Sequence, residues 1–359
     1  MATALGRRGR VVALGPHIVD VLGRPIDHIP AGQGSAVVDE ITMTVAGTGG
    51  GAAMDLAKLG WSVTSMGVIG DDVPGALLTT LLTRRGIDVS GLVVRPGQAT
   101  AATILPIRSS GERPALHSPG AMRGLRPADL DVAALRRADV LLLGGPEVTP
   151  QLLSQEGLAL LREVHDSGVT VVVDLLHPAT TDTAQRLAGL LPLVDWFLPN
   201  DDQLRGLTGV AELGDAARAL LDLGVGAVAV TTGARGALVV RPGAAPTVVP
   251  AFPTAVVDTT GCGDAFNAGM ITGIAAGCSP EDSALLGCAC GSLTASGLGS
   301  DAGITDLDQV LHLVAGTRPA EAARITTALG RTGALGATTA PGDPAPGAHP
   351  TDQQKETIA

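Results

Sequence analysis

Tyrosine is absent from this chain, and three phenylalanines and two tryptophans make up its entire aromatic content. A core for 359 residues must therefore be built from Ala, Val, Leu and Ile, and the chain is long enough to bury a large one. Cationic side chains are also scarce, with 24 Lys and Arg against 35 Asp and Glu and a net charge of −11. That balance excludes general nucleic-acid binding, which relies on basic side chains to neutralise phosphates. It leaves room for a nucleotide held by backbone donors and a metal ion. No Gly-x-x-x-x-Gly-Lys-Ser/Thr occurs, so the protein is not a Walker-type ATPase.

Cysteine is limited to Cys262, Cys278, Cys288 and Cys290. Cys288 and Cys290 have no second Cys/His pair at ligand spacing, so small thiols buried in a reducing compartment are expected rather than a zinc site. The longest uncharged run, Ser283 to Ser300, is interrupted by glycines, serines and a threonine. It predicts a buried helix followed by a turn, not a membrane span. Met1 to Arg10 carries three arginines but leads into too short an apolar stretch for a signal-peptide core. The expectation is a soluble, cytoplasmic protein with no membrane or nucleic-acid partner.

Glycine, by contrast, is abundant, with 49 residues, and predicts many tight connections. Apolar runs predict strands at Val11–Leu14, Val63–Ile69, Val140–Leu143, Val169–Val173, Trp196–Leu198 and Ala227–Thr231. Helical patterns lie between several of them, at Ala52–Leu59, Gln151–Ser167 and Leu213–Leu223. Continuous β-branched runs alternating with helices imply a mostly parallel sheet covered on both faces, an α/β/α sandwich. Asp20 to Val45 and Thr100 to His117 break the alternation, reading as short strands with Gly/Pro turns and no helix. From about Gly333 the composition turns to Ala, Gly, Pro and Thr without apolar periodicity, which predicts a disordered tail over 333–359 after a domain spanning 11–332.

The segment Val256-Val257-Asp258-Thr259-Thr260-Gly261-Cys262-Gly263-Asp264-Ala265-Phe266-Asn267-Ala268-Gly269 carries the most chemistry. Ala255 to Val257 reads as a short strand, followed by a glycine turn and a helix with Phe266, Met270 and Ile274 on one stripe. Gly269, Gly273 and Gly277 share that period and would let a neighbour pack closely. A turn opening a helix aims free N–H groups, backed by about half a positive charge, at whatever occupies it. Asp264 there could cap the helix or act as a base. Asp-Thr-Thr-Gly-Cys-Gly-Asp-Ala-Phe closely resembles the signature of the ribokinase-like, PfkB-type carbohydrate kinases, with Cys262 where alanine is usual. The resemblance extends from about Val11 to about Val314. It implies a three-layer α/β/α sandwich with a small β-sheet lid formed by the segments at about 20–45 and 100–117.

Within that resemblance Asp264 is the general base, and the backbone of Gly261, Cys262 and Gly263 is the anion hole for the transferring phosphate. Asp20, in Gly15-Pro16-His17-Ile18-Val19-Asp20, matches the aspartate that binds sugar hydroxyls, with Ile18 in place of a polar asparagine. Gly47, Gly50 and Gly51 match the glycine turn lining the sugar pocket, Gly51 standing where asparagine is usual. Ile18 and Gly51 together predict a roomier, less polar pocket than one for ribose. This turn does not follow the first strand directly and lacks a downstream ribose-binding acid, so a dinucleotide fold is not indicated.

Asn200 and Gln203, in Pro199-Asn200-Asp201-Asp202-Gln203, match a segment that organises magnesium and phosphates, Gln203 replacing a glutamate. Asn200 alone would read equally as a helix cap. Thr231, Gly233 and Gly236 match the loop at the nucleotide, and Asp258 lies where a monovalent cation such as K+ is implied. Asp174-Leu175-Leu176-His177-Pro178 departs from the relatives' Asp-x-Asn. Ser110-Gly111-Glu112-Arg113 resembles a lid turn, with Glu112 and Arg113 expected as a solvated ion pair. The implied activity is ATP- and Mg2+-dependent phosphorylation of a sugar or sugar-like alcohol, with a homodimer through the lid. A nucleoside kinase of the same family is the alternative, as is a sugar- or nucleotide-binding regulator without turnover.

Overall fold

The computed structural model describes residues 8–110 and 112–335. Its first half contains β1 (Arg10–Leu14), β2 (Ile18–Arg24), β3 (Glu40–Ala46), α1 (Gly50–Lys58), β4 (Ser62–Gly70), α2 (Val73–Arg84), β5 (Asp88–Arg95), β6 (Ala102–Pro106), β7 (Leu116–Ser118) and α3 (Val132–Arg137). Next come β8 (Val140–Gly144), α4 (Gln155–Asp166), β9 (Thr170–Asp174), α5 (Thr181–Leu187), β10 (Trp196–Phe197), α6 (Asp201–Thr208) and α7 (Leu213–Asp222). The last third holds β11 (Ala227–Thr231), β12 (Ala237–Val240), β13 (Thr247–Val249), α8 (Cys262–Ala275), α9 (Pro280–Thr294), α10 (Leu307–Thr317) and α11 (Pro319–Leu335).

Nine strands form one sheet in the order β13-β12-β11-β10-β9-β8-β1-β4-β5, parallel from β11 to β5 and antiparallel at β12 and β13. Successive strand residues point to opposite faces. Thus Val11 and Ala13 enter a core with α1, α2, α8, α9, α10 and α11, while Val12 and Leu14 enter one with α3 to α7. Both faces are covered, as the uninterrupted apolar runs require. Among the described residues no helix is long and apolar enough to cross a membrane.

With few rings to fill space, the layers approach one another closely. α8 is buried around its whole circumference from Ala265 to Gly273, not along a single stripe. A Cβ on Gly269 would lie 2.6 Å from the Leu286 carbonyl oxygen, and one on Gly273 would lie 2.6 Å from Ser283 Cα. Larger side chains would separate α8 from α9, so these glycines set the spacing. Gly277 faces open space and ends the helix in a left-handed conformation instead.

β2, β3, β6 and β7 form a separate sheet, in the order β3-β2-β6-β7, from the two segments that interrupt the alternation. Three local expectations change. Ala255–Val257 forms no strand: Val256 is exposed, and the Val257 N–H bonds the Ala295 carbonyl at 2.8 Å rather than a neighbouring strand. Gln151–Ser167 divides into a 3-10 turn, Pro150–Leu153, and α4, because Ser154 caps a new helix by accepting from the Gly157 N–H at 3.2 Å. α11 runs on to Leu335, beyond the boundary at Gly333. Residues 336–359, the rest of the predicted tail, lie outside the described residues, as do residues 1–7 and Gly111.

Candidate active site

A cavity of about 570 Å³ opens at the carboxyl ends of the parallel strands, beneath the small sheet. Ligands of open α/β sheets bind at such strand ends. One side is formed by Asp20, Gly47, Thr103 and His117, the other by Asn200, Thr231 and Gly233, and Gly261, Gly263 and Asp264 stand between.

The turn into α8 is built around a buried carboxylate. Asp258 Oδ1 accepts from the Thr260 N–H (3.0 Å) and hydroxyl (2.8 Å), while Oδ2 accepts from the Gly299 N–H (2.9 Å). Gly261 then adopts φ 78°, and a Cβ there would lie 2.5 Å from Ser300 Cα, so the position demands glycine twice over. Gly261 and Gly263 line the cavity. Cys262 does not: its N–H is directed at the Thr259 carbonyl (3.4 Å), which takes it out of the donor set expected of the turn. Asp258 does not line the cavity either, and its carboxylate serves as the brace of the turn.

Asp264 lies in the first turn of α8 with its carboxylate against the start of α1. A Cβ on Gly51 would fall 2.7 Å from Asp264 Oδ2. The missing side chain at Gly51 therefore does not enlarge the pocket as predicted, because the Asp264 carboxylate fills that space. Gly50 packs beneath, against Val45 and His17, and Gly47 is the one of the three glycines that lines the cavity. Burial, and then the negative neighbours Asp174, Asp55 and Asp20, hold the Asp264 carboxyl well above the usual carboxylate range. Burial also pushes Asp20 up to about 6 and Asp174 up to about 7. Asp174 ends β9 and accepts from Asn267 Nδ2 and the Leu175 N–H, each at 2.7 Å. Such a group needs a nearby cation or metal to stay ionised, or acts as a proton acceptor near neutral pH.

On the other side, Asn200 caps α6. Its Oδ1 accepts from the Gln203 N–H (2.8 Å), and Gln203 Oε1 accepts from the Asn200 N–H (2.9 Å). Gln203 Nε2 donates to the carbonyls of Leu175 (3.0 Å) and His177 (3.2 Å). Both ends of this amide are occupied, so Gln203 braces the loop after β9 instead of reaching metal-bound water. Thr231 and Gly233 line the cavity where β11 ends, but Gly236 does not, since it packs against the Val249–Ala251 backbone.

Several residues reach the site without a clear sequence signal. Arg113 is not paired with Glu112, which contacts Arg108 at 2.8 Å. Arg113 instead reaches across the cleft, donating from Nε to Thr259 Oγ1 (3.0 Å) and from Nη1 to Thr260 Oγ1 (3.1 Å). The small sheet is thereby tied to the turn that opens α8. Behind Asp264, Lys58 holds buried Asp55 at 3.1 Å and the Asp301 carbonyl at 3.0 Å, fixing α1 to the loop that carries Ser300. Glu147 Oε1 accepts from the N–H groups of Leu176 and His177. Thr103, His117 and His177 complete the wall.

Residues 9–307 match the model of the pfkB family of carbohydrate kinases. A probable fructokinase-4 from Arabidopsis thaliana is 26% identical, over 74% of this chain and 82% of its own length. An ATP-dependent ribose-1-phosphate kinase from Halopiger xanaduensis is 30% identical, over 80% of this chain and 92% of its own. Among solved structures, a ribokinase from Arabidopsis thaliana complexed with ribose and ATP superposes with a TM-score of 0.71. It is 24% identical and covers 85% of this chain and 97% of its own. Fold, signature turn and family match agree, and the chain belongs to the pfkB family of carbohydrate kinases.

Proposed function

We propose that this kinase transfers the γ-phosphoryl group of ATP to a hydroxyl of a sugar or sugar-like alcohol, with Asp264 accepting the hydroxyl proton. The supporting observation is that Asp264, the turn at Gly261 and Gly263, and Asp20 all face one cavity, whose far wall is Asn200, Thr231 and Gly233. Asp20 orients the acceptor, and the free N–H groups at the start of α8 face the charge of the transferring group. Arg113, on the β6–β7 connection, closes the cleft and adds a positive charge beside that turn. Closure keeps water from taking the phosphoryl group.

Mg2+ bound to ATP would neutralise the phosphates. Asn200 and Gln203 have their amide oxygens engaged, whereas Asp202 lines the cavity with an exposed carboxylate, 3.6 Å from Arg205 Nη1, and could hold the ion through water. The surroundings of Asp258 fit a monovalent cation poorly, because three protein donors already occupy its carboxylate, and no step is assigned to such an ion.

Asp264→Asn tests the assignment. Turnover should fall by about 10²–10⁴-fold or more, while ATP binding by calorimetry persists. A panel of sugars and nucleosides, with ADP release as readout, separates sugar kinase from nucleoside kinase, and ATP binding without ADP release from any acceptor would point to the regulator.

The outer face of the small sheet supports pairing with a second copy. Met43, Val21, Ile104 and Leu116 occupy one row across β3, β2, β6 and β7, and Met43, Ile104 and Leu116 are exposed. An exposed apolar row on a sheet whose other face is already buried over the cavity is a docking surface for a like face. Sedimentation should report a dimer that Ile104→Glu dissociates.

A further inference from the structure

The row adjacent to this apolar one points into the cavity. Register places Thr44 on β3 opposite Asp20 on β2, Asp20 opposite Thr103 on β6, and Thr103 opposite His117 on β7. Asp20, Thr103 and His117 line the cavity as a polar row across its roof, while the Thr44 hydroxyl lies 3.4 Å from that of Ser300. Thr103 stands directly opposite Asp20 in register, and an ionised carboxylate has no proton to give, so the threonine hydroxyl is the donor toward it. That leaves Thr103 Oγ1 to accept, and the atom 3.1 Å away is His117 Nδ1. The tautomer that matches this direction carries its proton on Nδ1 and presents a bare lone pair at Nε2. Nε2 is buried with no hydrogen-bond partner, on a residue that lines the cavity. A buried acceptor without a donor is an expensive state that a ligand can relieve.

We infer that His117 is a specificity-determining residue of the acceptor site, its Nε2 accepting a hydrogen bond from a second hydroxyl of the substrate. This rests on the kinase function proposed above and narrows its substrate class. The group meeting His117 must be a donor, that is, a hydroxyl or an amine, because the phosphate of a sugar phosphate or a carboxylate would set lone pairs against a lone pair. Asp20, two places along the row, would repel the same anions. The His177 ring lies edge-on to that of His117, with centroids 6.0 Å apart, and confines the donor to a narrow approach. Burial, then His177 and Arg123, hold His117 below the ordinary histidine range.

Two measurements test this. Two-bond proton–nitrogen correlation spectra of the free protein report the tautomer without any need for turnover, and loss of a signal in His117→Phe assigns it. The Nδ1–H form is expected in the wild type and mixed forms in Thr103→Val. An Nε2–H form in the wild type overturns the proposal while leaving the kinase function standing. Kinetics on a sugar and its monodeoxy analogues supply the second readout. His117→Phe should lower kcat/KM for the parent sugar by roughly 10–100-fold and have no effect for the one analogue lacking the partner hydroxyl, with His117→Gln restoring much of the loss. Equal losses across all analogues overturn the proposal, as does a preference for a sugar phosphate whose anion requires His117. If the wild type phosphorylates no alcohol, the kinase function and this ligand fall together, whatever tautomer is seen.

Discussion

Gly51→Ala places one methyl group where the Asp264 carboxylate now lies. The new Cβ would be 2.7 Å from Oδ2 and 3.2 Å from Cγ, but 3.6 Å from the nearest backbone atom, Ala46 Cα. The oxygen contact is roughly 0.5–1 Å shorter than relaxed non-bonded contact, so the carboxylate must move by about that distance. Because the carboxylate is the far end of a mobile side chain, it will yield before the backbone does. Gly51 is helical, so alanine gains about 0.5–1 kcal/mol of helix propensity against an overpacking cost of about 1–3 kcal/mol. Stability should therefore change by a few degrees at most, in a chain of this length. Catalysis should not be spared, since a 1 Å misplacement can cost about 10²-fold. Steady-state kinetics should show kcat falling by roughly 10–100-fold with KM for ATP nearly unchanged, alongside an unaltered circular-dichroism spectrum. An unchanged kcat would mean that the working carboxylate does not rest against Gly51, and the geometry assigned to the base would be wrong.

Further outcomes follow from the same neighbourhood. Asp264 must be ionised to accept a proton, and its carboxyl is held high, so kcat/KM should fall on acidification at a pH above the ordinary carboxylate range. Asp174→Asn removes one negative neighbour and should move that limb to lower pH, seen in a pH–rate profile. Protonation is favoured in the folded state for carboxyls raised in this way, so Asp264→Asn should raise the melting temperature at pH 8, and the gain should shrink as pH falls toward 4. Lys58→Met leaves Asp55 buried without its cation and should cost about 3–5 kcal/mol. That cost should be smaller at pH 5 than at pH 8, because Asp55, already pushed up to about 7, can take a proton instead. Differential scanning calorimetry at both pH values checks the sign. Arg113→Ala should lower kcat by about 10²-fold with little change in melting temperature, since a half-exposed contact contributes about 0–1 kcal/mol to stability.

Local composition determined much of this protein. The short continuous apolar runs of β1, β4, β8, β9 and β11, alternating with helical patterns, marked them as strands buried on both faces without any partner in view. The signature from Asp258 to Gly269 located the turn and the acid, because a glycine at positive φ opening a helix is a local property of the chain. Folding alone decided which groups meet. Gly51 and Asp264 lie far apart in sequence, and only the packing of α1 on α8 turns a missing side chain into a seat for a carboxylate. Arg113 became a bridge to Thr259 and Thr260 because the small sheet folds over the cleft, which no spacing near Glu112 encodes. The row from Thr44 to His117 exists through strand register, a long-range quantity that the alternation of a single strand cannot fix. Sequence carries preferences of residues for local conformation and burial, whereas distances between remote side chains, and the proton positions they impose, arise only when the layers close.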